Sequence, residues 1–173
     1  RLINDLLDLS RIDRGRTDLL QLNMSPIQLN DVVHEAVDGL RPLADAAGLK
    51  LVYQGEDNLA MADRDRVIQM VTNLAGNAIK FTESGGEVRV SVRSDGTGFI
   101  QTVVKDTGKG IPAEDLSKIF DRFHQVKGTM GGTGLGLPIT KELADLHGGE
   151  VWAESEMGHG STFTFTIPEA KMG

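Results

Sequence analysis

The 173-residue sequence predicts an α/β (α+β) fold, a two-layer sandwich with helices on one face of a mixed sheet. Segments with helical spacing of apolar residues alternate with short runs of strand character, the pattern of a layered domain. Around Asp95, Gly96, Thr97 and Gly98 two such runs, Val88 to Val92 and Phe99 to Val104, read as a hairpin. With 39% hydrophobic and 25% charged residues, the chain is long enough to bury one sizeable core.

Taken in order, Leu2, Ile3, Leu6, Leu7, Leu9 and Ile12 form an apolar stripe on a first helix. That helix is about a dozen residues long and marginal alone, so it must pack on its own domain, pair with another copy, or fray. Leu20 to Met24 reads as a strand, and Asn30 is placed to cap a helix running towards Gly48, with Pro42 set to kink it. Leu51 to Gln54 and a short piece near Met61 read as strands, and Asp63 caps the next helix. After the hairpin, glycines open a helix from Pro138 to His147, and Val151 to Glu154 with Thr162 to Ile167 gives a final strand pair.

The helix after Asp63 carries the most informative residues. Asn73, Asn77 and Lys80 fall on one stripe at spacings of four and three, beside an apolar stripe of Val67, Ile68, Val71, Leu74, Ala75, Ala78 and Ile79. An Asn oxygen is a hard neutral ligand of the kind Mg²⁺ takes alongside phosphate oxygens, and Lys offers a point charge for phosphate. Read alone, the stripe also fits a solvated helix face.

Two glycine-rich segments follow. Asp106, Thr107, Gly108, Lys109, Gly110 and Ile111 put a carboxylate where a strand ends and a loop begins. Gly131, Gly132, Thr133, Gly134, Leu135, Gly136 and Leu137 lead straight into a helix, where backbone N–H groups and the helix dipole favour phosphate. The spacing is neither that of a Walker A loop nor that of a dinucleotide-binding turn.

Together these segments resemble the catalytic ATP-binding domain of bacterial two-component sensor histidine kinases, within the GHKL superfamily of Bergerat-type fold. The resemblance covers nearly the whole chain and follows the family's motif order: asparagine box Asn73 to Thr82, first glycine box Asp106 to Ile111, phenylalanine box Ile119 to Phe123, second glycine box Gly132 to Leu137. It implies that Asn77 binds the Mg²⁺ bridging the ATP phosphates, supported by Asn73. Lys80 touches phosphate and Phe81 packs beside the base. Asp106 accepts from the adenine amino group, while Gly108, Gly110 and Ile111 let the loop fold over the nucleotide. Gly132, Thr133, Gly134, Leu135, Gly136 and Leu137 cradle phosphates, and Phe120 and Phe123 anchor the lid.

In the superfamily's ATPases a Glu four residues before the metal-binding Asn activates water. Here Asn73 stands there, which favours phosphoryl transfer to an acceptor and slow hydrolysis. A same-fold ATPase or a non-catalytic nucleotide-binding interaction module are the alternatives.

The resemblance also implies partners: the dimerisation and phosphoacceptor domain of the same kinase, a response regulator receiver domain, and a homodimeric full-length protein. The stretch RLINDLLDLSRID resembles the end of the second dimerisation helix, so residues 1–16 read as its truncated C-terminal part and 17–173 as the ATP-binding domain. Of His34, His124, His147 and His159, only His34 is followed by an acid, and it lacks the family's following Arg and Thr-Pro. The phosphoacceptor is therefore expected elsewhere. His147, before Gly148, is expected to place partial positive charge by a helix C-terminus, a structural role. The lid segment Val126 to Met130 is shorter than in relatives: either the lid is naturally short or a piece of it is absent from this sequence, and Arg122 and Lys127, which read first as solvated surface charges, are then the cations at hand near the γ-phosphate.

The remaining features limit function. Zero cysteines exclude disulfides and thiol catalysis, and no His/Cys cluster has zinc spacing. A formal charge of −7 argues against nucleic acid, and no apolar run reaches the roughly 20 residues needed to span a bilayer. A cytoplasmic location without direct membrane contact is expected, as part of a membrane-bound sensor or otherwise.

Overall fold

A computed structural model describes residues 2–13, 21–129 and 132–172. The elements are α1 (Leu2–Asp13), β1 (Ser25–Gln28), α2 (Leu29–Ala46), β2 (Lys50–Gly55), β3 (Leu59–Ala62), α3 (Arg64–Phe81), β4 (Glu87–Ser94), β5 (Phe99–Asp106), α4 (Ala113–Leu116), α5 (Gly136–Leu146), β6 (Val151–Glu156) and β7 (Gly160–Pro168). The main sheet has the order β2-β4-β5-β7-β6; β2 runs parallel to β4 and the other pairs are antiparallel. A small antiparallel pair, β1 and β3, stands beside it.

Alternation along β4 and β5, joined by β7, builds the buried sheet face. Val88, Val90 and Val92 on β4, Ile100, Thr102, Val104 and Asp106 on β5, and Phe163, Phe165 and Ile167 on β7 are all buried. Helices α2, α3 and α5 lay Val33, Val37, Val67, Met70, Leu74, Ile139 and Leu143 into the same core. Because side chains alternate, Asp106 ends β5 pointing towards the helices, and this sets the site.

Asp63 caps α3 as expected: its Oδ1 accepts from the backbone N–H groups of Asp65 and Arg66 at 3.1 and 3.2 Å, an arrangement worth about 1 kcal/mol. Asn30 does not cap α2. It lies inside the first turn, with Gln28 at the cap position, and its carboxamide is taken up by the Tyr53 hydroxyl at 2.6 Å and by Asp57 at 3.0 Å. The helix continues through Pro42 to Ala46.

The early strand also differs from expectation. Leu20 lies outside the described residues and 21–24 are irregular; the strand is Ser25–Gln28, whose partner is β3. Pro26 is tolerated there because β1 is an edge strand. The division between 1–16 and 17–173 falls among residues outside the description. Helix α1 packs on the domain, with Leu9 buried and Asp8 joined to Arg66 and Gln69, each at 3.1 Å, while Ile3, Leu6 and Leu7 stay exposed.

Candidate nucleotide-binding site

Asp106 is buried at the end of β5, and burial pushes its carboxyl above the ordinary carboxylate range. Two backbone N–H groups, from Gly108 at 2.9 Å and Ser161 at 3.3 Å, partly offset that effect, and both go to Oδ1. Oδ2 accepts no hydrogen bond among the described residues. The carboxylate is thus held rigidly by one oxygen while the other is left for a ligand donor.

Sequence reasoning missed the support beneath it. The β6–β7 turn comes so close that a Cβ on Gly160, at φ +97°, would strike the Asp106 carbonyl oxygen. Only glycine accommodates that approach. Ser155 Oγ donates to the Gly160 carbonyl at 2.9 Å and accepts the Ile111 N–H at 2.8 Å, and Gly158 N–H reaches the Lys109 carbonyl at 2.8 Å. The first glycine box is therefore clamped onto the end of the sheet. Within it, Gly110 abuts the Glu156 carbonyl, and a Cβ on Gly108 would meet the Phe81 carbonyl at 2.5 Å, which ties this loop to the end of α3.

On α3 the three polar residues divide their labour. Asn73 is buried, its amide donating to the Gly136 carbonyl at 3.2 Å and to Thr140 Oγ1 at 3.3 Å, so it joins α3 to the first turn of α5. Asn77, half-buried one turn on, makes no side-chain hydrogen bond among the described residues. Lys80 is exposed. Its Nζ lies 5.1 Å from the centre of the Phe81 ring and would stand 3.0 Å from a Cβ placed on Gly132, so the asparagine box meets the second glycine box.

Helix α5 begins at Gly136 with no side chain capping it. Thr133 Oγ1 accepts the Leu135 N–H at 3.3 Å, and Gly134 at φ +70° lies against the Phe123 backbone. Leu135 is fully buried and Leu137 half-buried, so Leu135 offers a ligand only backbone atoms. An uncapped helix start after a glycine turn is a place for phosphate oxygens.

The lid corrects one expectation. Phe120 lies edge-on to Phe163 with ring centres 6.4 Å apart. Phe123 does not anchor through its side chain: the residue is 65% exposed, and among the described residues it alone has a positive φ without being glycine, at 60°. Its backbone does the holding, donating to the Gly134 carbonyl at 3.0 Å. Gln125 reaches the Gly132 carbonyl at 2.8 Å, and Arg122 and Lys127 are exposed. Met130 and Gly131 lie outside the described residues.

His147 is a second correction. It is buried: Nδ1 donates to the Leu143 carbonyl at 2.6 Å, and Nε2 accepts the Asp63 N–H at 3.1 Å. A ring that accepts at Nε2 is neutral, and burial lowers its pKa from 6.5. It carries no positive charge to the end of α5. It bolts the end of α5 to the start of α3.

A two-layer sandwich whose helix α3, strand end and glycine turns meet in this way defines an ATP-binding domain of the Bergerat type. The family described as histidine kinase-, DNA gyrase B- and HSP90-like ATPase matches residues 62–171. The chain belongs to that family, and within it to the catalytic ATP-binding domains of histidine kinases. It is similar to the circadian input-output histidine kinase CikA of Synechococcus elongatus, 39% identical over 176 residues, covering 97% of this chain and 23% of that protein. Sensor histidine kinase WalK of Bacillus subtilis is 36% identical over 175 residues, covering 97% and 28%. Among solved structures, full-length ShkA in complex with AMPPNP superposes with a TM-score of 0.87 at 30% identity, over 99% of this chain and 36% of that one. The chain thus spans about a quarter of the length of these two curated relatives.

Proposed function

We propose that this chain binds Mg-ATP and presents the γ-phosphoryl group to a histidine on the dimerisation domain of the same kinase, for relay to a response regulator aspartate. The observation that carries the reading is Asp106, with Oδ1 pinned by two backbone N–H groups and Oδ2 open. A buried acceptor fixed in that way suits an amino group such as that of adenine and repels the carbonyl that guanine carries at the same place. Phosphates would then run past Lys80 to the start of α5.

The residues fit Mg²⁺. Among the described residues no group of three or more His, Cys, Asp or Glu gathers to hold a metal, whereas Asn77 has a free carboxamide on the side of Lys80. One neutral oxygen, with phosphates and waters, is a common Mg²⁺ set. Bound there, the ion would neutralise phosphate charge. For the rest, Asn73 holds the α5 turn against α3, Lys80 adds a positive charge, and Asp106 orients the base; catalysis is chiefly positioning. The residue four before Asn77 is an amide engaged with Gly136, not a carboxylate able to activate water, which favours a kinase over an ATPase.

Calorimetric titration with ATP and GTP, with and without Mg²⁺, tests this. ATP should bind, GTP should not, and Mg²⁺ should tighten ATP binding in the parent but much less in Asn77→Ala. Equal binding of GTP, or equal losses in Asn77→Ala with and without metal, would remove these assignments.

A further inference from the structure

We propose that Lys109 is a phosphate-binding residue, holding the phosphates nearest the ribose and therefore gripping ATP and ADP alike; the inference rests on the nucleotide reading above. Lys109 lies three residues beyond Asp106, in a loop whose backbone is fixed on both sides. Its carbonyl accepts the Gly158 N–H at 2.8 Å, and the preceding Gly108 is pressed against the Phe81 carbonyl. Its side chain is directed over the Phe81 ring, with Nζ 5.4 Å from the ring centre.

Lys80 occupies the same ring at 5.1 Å, arriving from α3. Two ammonium groups from separate elements thus converge on one aromatic ring. The ring quadrupole attracts each of them. In a chain with 25 acidic and 18 basic residues, Lys109 has no salt bridge among the described residues. The acid in its own loop, Asp106, is buried and turned towards the N–H groups of Gly108 and Ser161. A polyanion that reaches this ring meets the Lys109 charge on the Asp106 side.

Position decides which part of the polyanion Lys109 meets. Asp106 marks the base end of the site, and Lys80 beside Gly132 marks the end at the start of α5. Lys109 reaches the shared ring from the Asp106 side, so it faces the phosphates next to the ribose, which ADP retains.

The test is calorimetry on this chain with adenosine, ADP and a non-hydrolysable ATP analogue, comparing the parent with Lys109→Met and Lys109→Arg. Lys109→Met should weaken ADP and the analogue by about fivefold each, leave adenosine unchanged, and flatten the salt dependence of ADP binding. Lys109→Arg should keep most of the affinity. Thermal melting without ligand should match the parent, since the side chain is exposed. Unchanged ADP affinity in Lys109→Met, or an equal loss for adenosine, overturns the proposal while leaving the nucleotide reading intact. A parent chain that binds none of the three ligands overturns both.

Discussion

At the scale of the residue, Asp106 shows stability and recognition pulling against each other. Burial raises its pKa, so the folded protein takes up its proton more readily than the unfolded chain does. Stability from this group is therefore full below the unfolded value of 3.8 and is lost as pH rises through the higher folded one. Once ionised, the buried carboxylate is a cost carried for its ligand. Asp106→Asn keeps an oxygen for the Gly108 and Ser161 N–H groups but turns an amide donor towards the adenine amino group. It should leave thermal stability equal or higher while weakening ATP by roughly 2 kcal/mol or more. Calorimetry beside a melting curve checks both halves; a destabilised variant with parental affinity would contradict them. Asp106 was legible in the sequence because a strand pattern ends at it and glycines follow. Ser155, Gly160 and Ser161 were not, since the hairpin that carries them is remote in the chain and meets Asp106 only through sheet pairing of β5 with β7. Lys109 went unnoticed as a site residue for a related reason: its role depends on Phe81, which another element brings.

At the scale of the element, His147 fixes how α3 and α5 lie together, and with them Asn73 and the phosphate turn. Its neutral ring bridges Leu143 and Asp63, and burial, opposed by the Leu143 bond and the Asp63 carboxylate, lowers its pKa from 6.5. For a depressed histidine the stabilisation is complete above the unfolded value and is lost as pH falls through the folded one. His147→Ala leaves the buried Asp63 N–H unpaired, takes one of two donors from the Leu143 carbonyl, and should cost roughly 1–3 kcal/mol at pH 7.5. That difference from the parent should shrink towards pH 5, as the parent loses the same contribution. Denaturant unfolding at the two pH values measures it, and a gap that does not narrow speaks against a neutral buried ring. Strands β4 to β7 and helix α3 were readable because alternation, helical spacing and the Asp63 cap are local signals. β1 was misplaced because a four-residue edge strand containing Pro26 is defined by its partner, and Asn30 was misread because Tyr53 and Asp57, far along the chain, claim its side chain.

At the scale of the whole molecule, the proposed kinase reading expects its phosphoacceptor on a dimerisation domain rather than at His34, His124, His147 or His159. His34 stacks on Tyr53 with ring centres 4.7 Å apart and pairs with Asp38 at 3.5 Å, beside the edge strand β2. In the sheet, β4 stands between β2 and β5, the strand that ends in Asp106. His147 is buried as a bolt, and His124 binds Asp115 at 3.2 Å. Incubated with γ-labelled ATP and Mg²⁺, this chain should bind nucleotide yet carry no acid-labile phosphoryl group. A separately supplied dimerisation hairpin containing the family's phosphoacceptor histidine should become labelled, while this chain stays unlabelled. Labelling should be weak, because a tether normally holds acceptor and nucleotide at high effective concentration. Hydrolysis should stay slow, since Asn73 offers no base for water. Strong self-labelling abolished by His34→Gln would make His34 an acceptor after all, and rapid hydrolysis without any phosphoprotein would turn the reading towards an ATPase.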